Sequence, residues 1–333
     1  MDKRKLRLSN GEELFFPMDI TCEEDSTCIR LKITKPSSNM QEDASAFESW
    51  ALILRVKTSK KIILSFDRVD IDSKHYFKDP SPHKQHYMRF LYRLSKFQKQ
   101  MVSWFSVSAD SQKELDLFEK EFNSVNKVNN VPDGPSEYNE GKGFEHILEK
   151  AFVSLPKFRA GTGINFELSD QLPNGLFIDE VATKNKIFNT GKVDLWGIDP
   201  VDNAFVLFEL KEPENKKLGI ISELFFYSNF AFDLLNEKNK FKLNQKKSKY
   251  RNYGTFLEAQ KATGTKVKAV FLVNNLHPEL EDEKQQEKML ELLNENSPVS
   301  YCILKYEIDE QSLNEIKTEL KKIYPPIKSS ASN

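Results

Sequence analysis

Three charged residues lie within an apolar stretch near the middle of the chain: Asp194, Glu209 and Lys211. Residues 191–211 are typical of two strands joined by a turn, because apolar residues flank a short run that contains Asp, Pro and Asn. If the loop of this hairpin is 201–202, Asp194 faces Glu209, and the Cβ atoms of facing residues are about 4.5–5.5 Å apart. Glu209 and Lys211 are two residues apart, so they share one face of their strand.

Two carboxylates this close repel each other, and a pKa rises unless a cation lies between them. Mg²⁺ or Mn²⁺ would supply that cation, because both prefer hard carboxylate oxygens. The pattern therefore predicts a divalent metal site on the hairpin. The alternative is a surface hairpin whose Glu209–Lys211 pair is only solvated, since charged residues are common on exposed strand edges.

At these residues the sequence resembles the PD-(D/E)XK nuclease superfamily. The family pattern is an acidic residue on one core strand and (D/E)-X-K on the next, and Asp194 and Glu209-Leu210-Lys211 match it. The Gly-Lys-Val before Asp194 also resembles the lead-in of some members. The resemblance implies that Asp194, Glu209 and the Leu210 carbonyl hold Mg²⁺ or Mn²⁺. It also implies that Lys211 orients the attacking water or stabilises the transition state of phosphodiester hydrolysis.

A helix is predicted over 143–152, where apolar residues recur at helical spacing. Members of the superfamily often begin with a helix that donates a Glu to the metal, and Glu145 is the candidate here. Glu149, one turn further along, is the alternative. Both could instead be ordinary glutamates on a helix surface.

A second helix is predicted over 218–235, and it is apolar on most sides, as a helix buried on more than one face would be. Its polar exceptions include Glu223 and Tyr227, one turn apart. The pair resembles a Gln-x-x-x-Tyr pair that several superfamily members carry after the motif strand, with Glu in place of Gln. A surface Glu beside a packed Tyr explains the pattern equally well.

A basic segment, 238–251, carries seven Lys and Arg residues and no acid, with aromatic residues between them. Basic groups neutralise phosphates and aromatic rings stack on bases, so we expect this segment to contact a nucleic-acid backbone. A solvated loop is the alternative. The candidate contact residues are Lys242, Lys246, Lys247, Lys249 and Arg251.

The predicted order of elements over 143–333 is helix, three strands, helix, strand, helix, strand, helix. The restriction-endonuclease-like αβββαβ core has this order, so we expect an α/β (α+β) fold with a mixed central sheet flanked by helices. The predicted strands are 176–183, 193–198, 205–210, 267–273 and 299–306. The helices predicted after the second one are 279–293 and 311–323.

Residues 1–125 resemble no family and predict a strand-rich α+β domain with a recognition or regulatory role. Hairpins are predicted over 6–16, around Asn-Gly, and over 50–66, from strands 50–56 and 61–66. The other elements predicted here are strands 28–34 and 102–107, a helix 85–100, and a helix 111–122 capped by Ser111. A segment rich in Asn, Pro, Gly and Ser, 126–142, predicts a linker.

Composition limits the classes of partner and reaction. The formal net charge of the 333 residues is −1, so nucleic acid would have to contact a local patch. Three cysteines without metal-site spacing indicate a reducing, cytoplasmic setting. Neither a signal peptide nor a membrane-spanning run is visible, so we expect no membrane partner. A glycine-rich phosphate loop and a Gly-x-Ser-x-Gly elbow are also missing, which disfavours nucleotide and serine hydrolases.

The sequence therefore favours a Mg²⁺- or Mn²⁺-dependent endonuclease that acts on nucleic acid, with DNA preferred. A homodimer would suit the cutting of both strands of a duplex. A role in defence or repair follows from the family alone. Two alternatives stay open: a nuclease-like module that binds nucleic acid or assembles without cutting, and an unrelated α/β domain with a chance motif.

Overall fold

The structure is a computed structural model that describes residues 3–71, 76–77, 81–246 and 248–325. Its strands are β1 (Lys3–Arg7), β2 (Glu13–Pro17), β3 (Ile20–Glu24), β4 (Cys28–Ile33), β5 (Lys61–Phe66), β6 (Phe105–Val107), β7 (Lys127–Asn129), β8 (Leu168–Pro173), β9 (Leu176–Ile178), β10 (Lys186–Phe188), β11 (Lys192–Asp199), β12 (Ala204–Leu210), β13 (Phe241–Lys242), β14 (Val267–Val273) and β15 (Val299–Lys305). Its α-helices are α1 (Phe47–Thr58), α2 (Pro82–Gln100), α3 (Ala109–Ser124), α4 (Phe144–Ser154), α5 (Pro156–Gly161), α6 (Gly219–Asn236), α7 (Tyr253–Lys261), α8 (Glu283–Asn294) and α9 (Glu310–Ile323).

The sheet that carries the predicted site has five strands in the order β15-β14-β12-β11-β8. The strands β12, β14 and β15 run parallel, and β11 is antiparallel to both of its neighbours. Parallel neighbours need crossover connections, and α6 and α8 supply them. The expected α/β class, a mixed sheet flanked by helices, is confirmed.

The prediction that 176–183 forms the first strand of this sheet is wrong. The strand at that edge is β8, whereas β9 pairs with β7 and β10 in a separate four-stranded sheet. The strand β8 contains Ser169, Asp170 and Gln171, so it lacks the apolar content that marks a core strand. Asp170 is nevertheless buried, because Lys150 and Arg251 both pair with it. Partners distant in sequence thus allow a polar strand in the core.

The N-terminal half holds a four-stranded sheet in the order β3-β4-β5-β6. The predicted Asn-Gly hairpin is confirmed as β1 and β2. The predicted strand 50–56 is wrong, because these residues lie in α1. Since β4 and β5 are parallel, a tight hairpin cannot join them and a crossover helix must. The helix α1 is buried on nearly every side, so its sequence shows no amphipathic period.

Two further boundaries in this half differ from those expected. The strand predicted over 102–107 is shorter, since β6 begins at Phe105 after a turn. The helix α3 begins at Ala109 rather than after Ser111. The Ser111 hydroxyl instead accepts a hydrogen bond from the Phe66 backbone amide at 3.2 Å, so it ties α3 to β5 and does not cap the helix.

Residues 126–142, predicted as a linker, contribute a buried strand. The strand β7 pairs with β9 and with β13, and its Lys127 ammonium donates to the carbonyls of Phe122 and Val125. Apolar residues of both halves also belong to one continuous core that includes Trp50, Phe225 and Tyr301. Across the described residues, none of the helices has the length and apolar character needed to cross a bilayer.

Candidate metal centre

The hairpin of β11 and β12 places the predicted acidic residues at one end of the central sheet. Leu195 pairs with Phe208 and Asp199 pairs with Ala204, so the predicted register is confirmed. Asn203 adopts a left-handed φ of 53°, which Asn tolerates well in a turn.

Beyond the Leu195–Phe208 pair, the two strands separate at the end away from the turn. The Leu210 amide donates to the Asp194 carboxylate at 2.9 Å, so a side chain replaces a backbone acceptor. On the other side of β11, the register with β8 places Gln171 opposite Asp194. Gln171 has a φ of 52°, which is uncommon for a non-glycine residue and indicates a local irregularity in the strand.

Carboxylates from α4 meet Asp194 at this opening. One oxygen from each of Glu145, Glu149 and Asp194 lies within 4.8 Å of the other two. Glu145 and Glu149 are one turn apart, so both project from one face of the helix. The Gln171 side-chain amide donates to Glu149 at 3.2 Å. Three convergent carboxylates are a donor set that suits Mg²⁺ or Mn²⁺.

Lys211 lies between two further carboxylates. Its ammonium is 2.5 Å from Glu209 Oε1 and 3.2 Å from Glu223 Oε2. All three side chains are buried, and Glu209 is only 1% exposed. Among the described residues, Glu209 Oε2 has no hydrogen-bond partner. A buried carboxylate oxygen without a partner is costly, and a bound cation would satisfy it.

Burial raises the pKa of Asp194 well above its usual range, and the neighbouring carboxylates oppose the partial compensation by Lys211. Burial also raises the pKa of Glu209, and the Asp194 charge adds to this effect. The pKa of Glu145 is raised by burial as well, against the attraction of Lys211. For Lys211, burial alone would lower the pKa, but the surrounding carboxylates raise it well above its usual value. The centre therefore holds a charged ammonium and more acidic groups than this ammonium can balance.

The N-terminal half reaches the same centre through Gln41. Its side-chain amide donates to Glu223 Oε1 at 2.5 Å, across 182 residues of sequence. Tyr227, predicted with Glu223, is buried, and burial followed by the charge of Glu223 raises its pKa well above the usual value. Neither Gln41 nor Gln171 was predicted as a site residue. Both lie in polar stretches outside any motif, so the sequence offers no signal for them.

The residues of the basic segment differ in exposure and in the contacts that they make. Lys242, Lys246 and Lys249 are exposed, and Lys247 lies outside the described residues. Arg251 is held in place instead: its guanidinium is 2.6 Å from Asp170 and donates to the carbonyls of Gly134 and Pro135. The structure thus assigns Arg251 a structural ion pair and leaves the exposed lysines as the groups that a phosphate can reach.

The chain matches no family model, no curated protein and no solved structure. What the centre can do therefore follows from its own residues. The carboxylates of Asp194, Glu145 and Glu149 fit a hard divalent cation, and the unpartnered oxygen of Glu209 adds one more donor nearby. Lys211 supplies a positive charge that a phosphate oxygen or a water molecule could meet.

Proposed function

We propose that this protein is a metal-dependent nuclease that hydrolyses phosphodiester bonds of nucleic acid, with DNA as the favoured substrate. One observation carries the proposal. A triad of carboxylates, the buried Glu149 with the partly buried Glu145 and Asp194, lies beside a lysine that pairs with Glu209 on the adjoining strand. Structural ion pairs balance charge, whereas this group has an excess of acid that favours a divalent cation.

The residues have distinct roles in this proposal. Asp194, Glu145 and Glu149 would hold Mg²⁺ or Mn²⁺, together with Glu209 and the carbonyl of Leu210. When bound, the cation supplies a water molecule of lowered pKa and positive charge for the phosphate. The Lys211 ammonium keeps its proton, because its neighbouring carboxylates raise its pKa. It can therefore orient the attacking water or stabilise charge on the phosphate oxygens.

The exposed lysines give the nucleic-acid backbone a place to bind. Lys242 and Lys249 belong to a segment without acidic residues, on a chain whose formal net charge is only −1. Binding through a local patch of this kind is dominated by phosphate contacts and depends strongly on salt. A reducing, cytoplasmic setting fits Cys22, Cys28 and Cys302, which form no disulfide among the described residues.

The first experiment is a cleavage panel of supercoiled plasmid, linear duplex, single-stranded DNA and RNA, each with Mg²⁺, Mn²⁺ or EDTA. The wild type is compared with Lys211→Ala and Asp194→Asn, and Lys268→Ala serves as the control. Lys268 makes ion pairs with Asp199 and Asp202 at the hairpin turn, away from the centre. We expect metal-dependent cleavage that only the two centre variants lose, by about 10²-fold or more. Full activity in either of them would refute this site.

A nuclease-like module that binds nucleic acid or assembles without cutting is the second candidate. The observation in its favour is the Lys211–Glu209 pair at 2.5 Å, because the ammonium already offsets one of the proposed ligands without a metal. Salt-sensitive binding with no cleavage in any metal would support this candidate over the enzyme.

A further inference from the structure

The two halves of the chain share one topology. The N-terminal order is β3, β4, α1, β5, α2, β6, α3, and the C-terminal order from β11 is β11, β12, α6, β14, α8, β15, α9, with β13 and α7 inserted after α6. In both orders the first strand is antiparallel to the second, and the second, third and fourth strands are parallel; the C-terminal sheet has a further edge strand, β8. Strand order, strand direction and the positions of the crossover helices therefore agree.

The strand ladders align the two halves residue by residue. The pairing of β4 with β5 runs from Cys28 to Ile33, and that of β12 with β14 runs from Phe205 to Leu210. Both ladders have six pairs, so Cys28 corresponds to Phe205. The sequence shows no internal repeat at these positions, so only the backbone pairing shows the correspondence.

The alignment identifies the N-terminal counterparts of the site residues. Lys32 corresponds to Glu209, and Thr34 to Lys211. Thr21 pairs with Lys32 and therefore corresponds to Asp194.

None of these counterparts offers a carboxylate. Lys32 is instead 2.7 Å from Asp67 in an exposed ion pair. At these corresponding positions, all within the described residues, the N-terminal half therefore offers no acidic ligand for a metal centre.

The start of α6 contacts the start of α1 in the other half. The Leu218 amide, just before α6, donates to Asp43 at 3.1 Å. The Ser49 hydroxyl of α1 donates to the Leu218 carbonyl at 2.8 Å. In two-fold symmetric dimers, equivalent elements of the two subunits meet at one interface, and here equivalent crossover helices meet within one chain.

Side chains along the two helices extend this contact. Ser222 of α6 donates to Glu48 of α1 at 2.7 Å, and Arg93 of α2 pairs with Glu48 at 2.9 Å. Apolar side chains of α1 are buried in the same core as those of α6. The face of α6 against α1 is therefore already covered within the chain.

We propose that the N-terminal half takes the place of a second subunit, so that the working unit is one chain with one metal centre. This inference rests on the proposed function. A symmetric dimer brings two centres to a duplex and can cut both strands. One chain with one centre breaks a single strand in each binding event. The homodimer expected from the sequence is then not needed. The N-terminal half, which has no acidic ligand at the corresponding positions, already covers the face of α6 that a second subunit would contact.

The first test measures the oligomeric state and the metal binding of the protein, and neither measurement depends on cleavage. Sedimentation equilibrium of the full chain with Mn²⁺ is expected to give the mass of one chain, 38.6 kDa, across a hundredfold range of protein concentration. Calorimetric Mn²⁺ binding should be lost in Asp194→Asn and unchanged in Thr21→Ala, the variant at the corresponding position. A dimer, or a loss of Mn²⁺ binding in Thr21→Ala, would overturn the inference.

The second test follows the products from supercoiled plasmid at low protein concentration. We expect open circles to accumulate first, at a rate proportional to protein concentration, and linear molecules to appear only through later, independent nicks. Linear product formed at once, at a rate that rises with the square of protein concentration, would overturn the inference. A monomer that binds Mn²⁺ at one centre but cleaves nothing would support the single-chain unit and refute the proposed function.

Discussion

The Asp194 carboxylate accepts a hydrogen bond from the backbone amide of Leu210, 2.9 Å away on the neighbouring strand. The side chain thereby takes the acceptor role that a backbone carbonyl has in a regular ladder. Glu209, Leu210 and Lys211 follow one another at this point, so the same contact fixes where the end of β12 lies relative to Asp194. The centre is built where the hairpin opens, because there two strands can present acidic side chains to α4.

The acidic centre should make stability depend on pH in an unusual direction. Asp194, Glu209 and Glu145 have raised pKa values in the folded protein, so their contribution to stability is complete below the unfolded pKa, about 4. It is lost as pH rises through the folded pKa values. We expect Asp194→Asn to stabilise the metal-free protein by about 0.5–2 kcal/mol at neutral pH, and by less at acidic pH. Urea unfolding in EDTA from acidic to neutral pH measures this difference.

Divalent metal should reverse that loss of stability. Metal binding requires ionised carboxylates, so Mn²⁺ should stabilise the wild type more as the pH rises. Asp202→Asn, at the hairpin turn where Asp202 pairs with Lys268, is the matched control and should keep the metal effect. If Mn²⁺ does not change the unfolding midpoint of the wild type at neutral pH, that result would contradict a metal centre here.

Gln41 should act as a positioning residue for the centre from the other half of the molecule. Its amide donates to Glu223, whose second oxygen is 3.2 Å from the Lys211 ammonium. We expect Gln41→Ala to lower the cleavage rate about tenfold and Gln41→Glu to lower it further, because the new carboxylate would repel Glu223. Steady-state kinetics check the mechanism: kcat should fall while KM stays unchanged, because Gln41 contacts Glu223 and not the substrate.

Gln311→Ala is the control for that experiment, because Gln311 is exposed on α9 and bonds only within its own helix among the described residues. A purely structural role for Gln41 would lower the unfolding midpoint and leave the kcat of the folded protein unchanged. That result would remove Gln41 from the site.

The exposed lysines and Arg251 should respond differently to removal. Lys242→Ala and Lys249→Ala should each weaken nucleic-acid binding and reduce the salt slope of the binding constant by about 1. Arg251→Ala should instead cost about 1–3 kcal/mol of stability, since it removes a partner of the buried Asp170. Fluorescence anisotropy at several salt concentrations and urea unfolding separate the two effects. An unchanged slope in both lysine variants, matching the control Lys284→Ala on α8, would rule out this segment as the contact.

Gly219 should be intolerant of a side chain, because the backbone of the other half passes close to it. A Cβ at this position would lie 2.5 Å from the backbone oxygen of Gln41. Backbone cannot move as easily as a side chain, so we expect Gly219→Ala to cost about 1–3 kcal/mol and to weaken Mn²⁺ binding as Glu223 shifts. Gly134→Ala, with no atom within 4 Å of the added carbon, is the control. Equal unfolding midpoints for the two variants would show that this contact is not tight.

Local sequence patterns were sufficient to predict an element where one stretch of sequence determines its own structure. The turn at 199–203 sets the hairpin register, and that register places Asp194 near Glu209, as predicted. The helix that carries Glu145 also shows an apolar period in its sequence, and this period predicted the element although polar residues of the helix are buried as well. Sequence patterns failed to predict elements whose burial depends on distant partners. The helix α1 is buried on nearly every side, so its sequence shows no apolar period. The strand β8 can be polar and still lie in the core, because ion pairs satisfy Asp170.

The sequence by itself determined the hairpin, its acidic residues and Lys211, and the alternation of strands and helices that makes a mixed sheet. These features depend on neighbours in the chain, through turn chemistry and the periodicity of apolar residues. Only the tertiary structure decided which carboxylates converge, that Gln41 reaches Glu223, and that the halves share a topology. Such relations join residues far apart in sequence. The packing of α4 on the central sheet brings the carboxylates together, the packing of the two halves brings Gln41 to Glu223, and no local preference does either.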